Sequence, residues 1–115
     1  MHELSIATSI LEAAQRETAM RVGSELRKVA VRIGELAAVD PESLRFSFEA
    51  LTNDTEFAGT ELQIEYIPRT NHCSACDRDF RPEPGEFACP SCGSLETRFV
   101  SGDELEIAYL ELEEA

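Results

Sequence analysis

Leu4, Ala7, Leu11 and Ala14 fall on one stripe at helical spacing, with Ile10 beside them and Glu12, Gln15, Arg16 and Glu17 on the opposite side. The pattern predicts an amphipathic helix from Leu4 to Met20, ended by Gly23. Val29, Val31 and Ile33 then alternate with Lys28 and Arg32, the period of a half-buried strand, which Gly34 closes. Asp40-Pro41-Glu42 reads as a helix start: Asp40 can cap, Pro41 suits the first helical position, and Glu42 complements the positive end. Leu44, Phe48 and Leu51 share the face that follows, with Phe46 nearby, until Asn53 and Asp54 end the pattern. After Gly59, Leu62, Ile64 and Tyr66 alternate as a second strand that stops before Pro68. Leu105, Ile107 and Tyr109 alternate as a third, ahead of the acidic tail Glu111 to Glu114.

Between Thr70 and Phe99 the periodic apolar runs give way to prolines, glycine, cysteines and short polar stretches. The order is therefore helix, strand, helix, strand, irregular module, strand. The last strand must return to the first sheet to bury its apolar side. The expected fold class is α+β, with two helices packed on a three-stranded sheet and a zinc-ribbon-like module inserted before the last strand. The expected boundaries are residues 1–68 plus 103–115 for the α+β unit and 69–102 for the module. So short and polar a module has too little core of its own and needs a metal to hold it.

The four cysteines of the chain form two Cys-x-x-Cys pairs, Cys73/Cys76 and Cys89/Cys92, and none is left over. Each turn sets two sulfurs on one side of a tight loop, and two turns supply the ligands of a closed tetrahedral site. Pro90 stiffens the second turn, and Gly93 can take the positive φ that brings backbone N–H groups towards the thiolates. Structural zinc is the leading reading. Two disulfides, a redox dithiol, or iron in an electron-transfer module use similar spacing. The opening Met1-His2-Glu3-Leu4 has no basic region before an apolar run, so a reducing, cytoplasmic setting is expected, which weakens the disulfide reading. No stretch is apolar enough to span a bilayer.

The formal net charge is −13, from 23 acidic and 10 basic residues. That balance opposes nucleic acid as a partner, because phosphate binding needs a basic face. It favours basic partners or metal cations, although most of these charges read as a solvated surface. Catalytic motifs are lacking: there is no glycine-rich phosphate loop and no specific Ser/His/Asp arrangement, so the chain is not expected to be an enzyme.

Only two histidines exist, His2 and His72. His72 directly precedes Cys73 and could bond a thiolate, assist metal transfer, or stand solvated in its loop. His2 follows the initiator methionine. The α-amine of Met1, the amides of His2 and Glu3, and the imidazole lie within a few bonds and can surround a metal in a plane. That geometry suits Ni²⁺ or Cu²⁺ better than Zn²⁺. Amides that open a helix have no intrahelical acceptor and are free to ionise against a metal. The bland reading is a solvated terminal histidine.

Met1-His2-Glu3-Leu4-Ser5 resembles the start of the HypA/HybF family of hydrogenase nickel-incorporation proteins. So do Ile33-Gly34-Glu35-Leu36, Val39, Pro41-Glu42-Ser43 and Leu44-Arg45-Phe46-Ser47-Phe48-Glu49. The paired cysteines resemble the family's zinc module, and Ser101-Gly102-Asp103-Glu104-Leu105 its return into the last strand. The resemblance covers essentially the whole chain. It implies a nickel metallochaperone that binds Ni²⁺ at its N-terminus and delivers it to the large subunit of [NiFe]-hydrogenase. It implies His2 as nickel ligand with the main-chain nitrogens of Met1 and Glu3, and Cys73, Cys76, Cys89 and Cys92 as ligands of structural Zn²⁺. It further implies a HypB-type GTPase as partner and, in some organisms, service to urease maturation proteins. Some members carry histidines beside both cysteine turns; here only His72 flanks one. The competing function is a zinc-ribbon adaptor between proteins, with no nickel cargo of its own.

Overall fold

The computed structural model describes residues 2–114. Helix α1 spans His2–Ala19, starting two residues before the apolar stripe does. It buries Ala7, Ile10 and Ala14. The two alanines are fully buried, and their small side chains let the helix lie close to the layer beneath. Gly23, at φ 87°, turns the chain into β1, Ser24–Gly34.

Strand β1 is the centre of the first sheet. A short 3-10 helix, Glu35–Ala37, and helix α2, Pro41–Thr52, carry the chain across to β2, Glu61–Ile67, which lies parallel to β1. The Asp40 carboxylate caps α2, accepting from the hydroxyl of Ser43 at 2.7 Å and from its N–H at 3.1 Å. Those bonds, the hydroxyl's first, hold the Asp40 carboxyl below its ordinary value. The final strand of the chain, β6 (Leu105–Glu114), runs antiparallel on the other side of β1, giving the order β2-β1-β6. Helices lie on one face only. Val29, Val31 and Ile33 of β1, Leu44 and Phe48 of α2, Ala7 of α1 and Leu62 of β2 make the core.

The last strand departs from simple alternation. Val31 pairs with Ile107 but Ala30 pairs with Tyr109, so Ala108 is an extra residue in β6. The bulge reverses the pleat, and Tyr109 faces away from the helices while Leu110 and Leu112 continue the inner side. Phe46, expected near the face of Leu44 and Phe48, is 73% exposed on the other side of α2.

The module has regular structure that its sequence does not advertise. Strands β3 (Thr70–Cys73), β4 (Arg78–Phe80) and β5 (Thr97–Ser101) form a second antiparallel sheet in the order β4-β3-β5. The two chain passes that join it to the first sheet are packed against the end of β1. Gly34 N–H donates to the Glu104 carbonyl and Leu36 N–H to the Gly102 carbonyl, both at 2.7 Å. Arg69 N–H donates to the Glu35 carboxylate at 3.0 Å. Gly102 has φ +120°, and a Cβ there would stand 2.6 Å from the Arg69 α-carbon. A Cβ on Gly34 would run into the Gly102 carbonyl.

Candidate metal sites

The cysteines arrive at one point from two loops. Cys73 ends β3, and a turn through Asp77, at φ 57°, returns the chain into β4 past Cys76. Cys89 and Cys92 lie on the second turn, where Gly93 takes φ 73°, as its place after the turn requires. Gly93 N–H donates to the Cys89 carbonyl at 2.8 Å, and Cys89 N–H to the Ser94 carbonyl at 2.9 Å. Ser74 N–H bonds the Glu96 carbonyl at 2.9 Å, tying the first turn to the segment after the second.

All four sulfurs lie within 4.8 Å of one another. Cys73 and Cys92 are 3.6 Å apart and Cys76 and Cys89 3.7 Å, so the pairs bring together one cysteine from each turn. A disulfide would need about 2.05 Å. A tetrahedron with Zn–S bonds of about 2.3 Å has edges of about 3.8 Å, close to what is seen. The thiols are electrostatically divided. Burial, helped by the neighbouring thiols, pushes Cys76 up to about 12. The backbone N–H of Cys92 pulls Cys89 down to about 6. Four sulfurs this close cannot all ionise without a cation among them, and an all-thiolate tetrahedral donor set fits Zn²⁺. With four protein ligands such a site is closed and offers no position for a substrate.

The ring of His72 is held by two carboxylates and is not among the four clustered ligands. Its Nδ1 lies 2.7 Å from an Asp79 carboxylate oxygen and its Nε2 3.1 Å from one of Asp77. At 19% side-chain exposure it is a held histidine rather than a solvated one.

His2 lies at the first turn of α1, where the fold brings the starts of both helices together. Its Nε2 is 3.3 Å from the Ala38 carbonyl oxygen and 3.2 Å from the Glu3 carboxylate. The same Glu3 oxygen accepts from Asp40 N–H at 3.4 Å. Glu3 thus links the beginning of α1 to the cap of α2, a role beyond merely favouring a helix N-terminus. Sequence gave no signal for Ala38 or Asp40 here, because both meet His2 and Glu3 only through the packing of two helices. Met1, whose main-chain nitrogen is an expected ligand, lies outside the described residues. The two candidate sites share no residue.

Among the described residues no helix is long and apolar enough to cross a membrane. A family model described as hydrogenase/urease nickel incorporation, metallochaperone, hypA matches residues 1–112. Hydrogenase maturation factor HypA of Solidesulfovibrio magneticus is 45% identical, over 98% of this chain and all of that protein. Its counterpart from Geobacter metallireducens is 40% identical over the same shares. The solution structure of the Ni metallochaperone HypA from Helicobacter pylori has the same fold, with a TM-score of 0.63 at 22% identity over 98% of both chains. A second HypA solution structure gives a TM-score of 0.68 at 23% identity, over 98% of this chain and 97% of that one. With the family model spanning nearly every residue and full-length relatives at this identity, the chain belongs to the HypA family of nickel-incorporation metallochaperones.

Proposed function

We propose that the chain carries Ni²⁺ at its N-terminus and hands it to the large subunit of [NiFe]-hydrogenase, while Cys73, Cys76, Cys89 and Cys92 hold zinc as a scaffold. A HypB-type GTPase is the proposed partner in loading or release, urease maturation proteins are further recipients, and the cytoplasm is the setting. Residues 1–68 with 103–115 form the nickel-binding unit in this reading, and residues 69–102 the zinc module.

The observation that carries the reading is the anchoring of His2. With Nε2 turned to the Ala38 carbonyl and Glu3, the ring keeps its proton on that nitrogen and leaves the Nδ1 lone pair for a metal. Nδ1 and the amide nitrogen of the same residue are placed by covalent geometry to grip one ion. The amide N–H groups of His2 and Glu3 open α1 and have no intrahelical acceptor. Met1's amine and Glu3's amide complete a nitrogen plane of the kind Ni²⁺ accepts. A bare dication would be repelled by the positive helix end; two ionised amides cancel its charge.

Nickel titration of untagged, zinc-loaded protein beside His2→Ala tests this. Wild type is expected to bind about one Ni²⁺ beyond its zinc, with the absorption of a planar nitrogen site. His2→Ala, and wild type acetylated at the α-amine, should each bind at least about tenfold more weakly. Equal affinity in His2→Ala leaves the adaptor reading standing in place of the carrier.

A further inference from the structure

Strand β6 is an edge. One side pairs with β1, and among the described residues no strand pairs with the other, so a row of N–H and C=O groups is open there. Beside that edge runs a groove of about 370 Å³ between α1 and β6. Ile6 and Ile10 wall it on the helix side and Leu105 and Ile107 on the strand side, with Ser9 leaving room in the wall and His2 at the rim. Leu105 is 49% exposed. The inner side of β6 thus continues the core's apolar surface past the point where α1 covers it.

The opposite face of the sheet carries charge in rows. Arg32 reaches Glu65 on β2 at 3.6 Å and Glu106 on β6 at 3.9 Å. Lys28 reaches Glu111 on β6 at 3.0 Å and pairs in register with Glu61 on β2. Each row reads acid, base, acid, and ends on β6 with a carboxylate that has a cation on one side only. A strand laid beside β6 would place alternate residues in the apolar groove and the residues between them next to Glu106 and Glu111. Tyr109, turned to this face by the bulge and 46% exposed, offers a ring to a cation between those two acids.

We propose that β6 accepts an extended segment of a partner protein as a fourth strand, with apolar side chains in the groove alternating with Lys or Arg on the open face. A second copy of this chain fits poorly, because β6 against β6 sets glutamates beside glutamates in two molecules of charge −13. An acidic segment fails on the same ground. The groove ends at His2, so the segment would pass the terminus assigned to nickel; that placement rests on the nickel reading, and the strand pairing does not.

The probe is a blocked peptide as long as β6 in which Val and Lys alternate, methylated at alternate amides so that only one edge can pair. It is titrated into the zinc-loaded, nickel-free full chain and followed by amide shifts and hydrogen exchange. Binding is expected with shifts and new protection along β6 and at Ile6 and Ile10. The matching Val/Glu peptide, the double variant Glu106→Lys with Glu111→Lys, and the groove-filling Ser9→Trp should each weaken binding by at least about tenfold. Both protein variants change exposed positions, and unchanged zinc content and helical circular dichroism report that they fold. Equal binding of the Val/Glu peptide, shifts centred on Phe46 in place of β6, or no binding at millimolar peptide overturns the proposal. The peptide titration uses nickel-free protein and should be unchanged by acetylation of the α-amine, which leaves every side chain of the groove as it is, so a failed nickel assignment and a failed strand assignment give different results.

Discussion

Glu3 and Phe46 show what a single position can and cannot reveal. Nothing in the sequence ties Glu3 to Asp40, yet its carboxylate serves both His2 and the Asp40 amide. Phe46 belongs to a helix whose apolar spacing was legible, but its place among Leu44 and Phe48 did not fix its side, and it faces solvent. The difference is measurable. Phe48→Ala, at a site 1% exposed, should cost about 3–5 kcal/mol in urea unfolding. Phe46→Ala should stay within about 0.5 kcal/mol. The cysteines were fully legible as a set of four, because their spacing alone implies convergence; their unequal acidity was not, since it comes from burial and from the backbone N–H groups of Cys92 and Ser91. That inequality sets a sign. The Cys76 thiol, held at about 12, must release a proton whenever metal arrives at neutral pH. Cys89, at about 6, has already lost its own above that pH and holds it below. Zinc affinity should therefore fall as pH falls, with one further proton released per zinc below about pH 6. Calorimetry in buffers of different ionisation enthalpy counts those protons; an unchanged count across pH 6 would contradict the assignment of Cys89.

Among elements, the long periodic ones were readable and the short ones were not. α1, α2, β1 and β2 were found from their apolar spacing, but β1 begins at Ser24 and buries Ala30 as well as Val29 and Val31, while Leu4 and Tyr66, each placed on an apolar face, are exposed. β6 was found, but its bulge at Ala108 was not, because an inserted residue looks like ordinary alternation until its partner strand is known. β3, β4 and β5 have too few residues for a period to register, and the sulfur cluster rather than an apolar face gathers them. Removing zinc should therefore act on one sheet only. Chelation is expected to collapse the amide dispersion of residues 70–101 while helical circular dichroism stays within about a tenth of its starting value, since α1 and α2 pack on the other sheet. Loss of both signals together would show the two sheets to be one cooperative unit. Where the sheets join, Gly102 has no room for a side chain. Gly102→Val should cost roughly 1–3 kcal/mol and shift the amides of Leu36 and Glu104, because the left-handed φ and the contact with Arg69 both resist a Cβ.

As a whole the molecule is long for its size. Its radius of gyration is 18.2 Å, with extents of 56 × 27 × 16 Å. A compact chain of this length would have a radius of about 13 Å. The order of elements predicted an inserted module, but not that it would stretch the molecule, because sequence says little about how two small sheets sit end to end. The family to which the chain belongs is one of metallochaperones and not of enzymes, and the four-cysteine site, closed by its own ligands, suits a scaffold. The close passage of Arg69 by Gly102 carries a consequence for how such a molecule can be rearranged. A Cβ on Gly102 would sit 2.6 Å from the Arg69 α-carbon, so the two α-carbons are separated by about the span of a single peptide unit. The chain leaves the first sheet and re-enters it at what amounts to a splice point. Residues 70–101 leave and return through two chain passes that already lie side by side. Exchange or removal of the module is therefore expected to leave the sheet that borders His2 woven as it is.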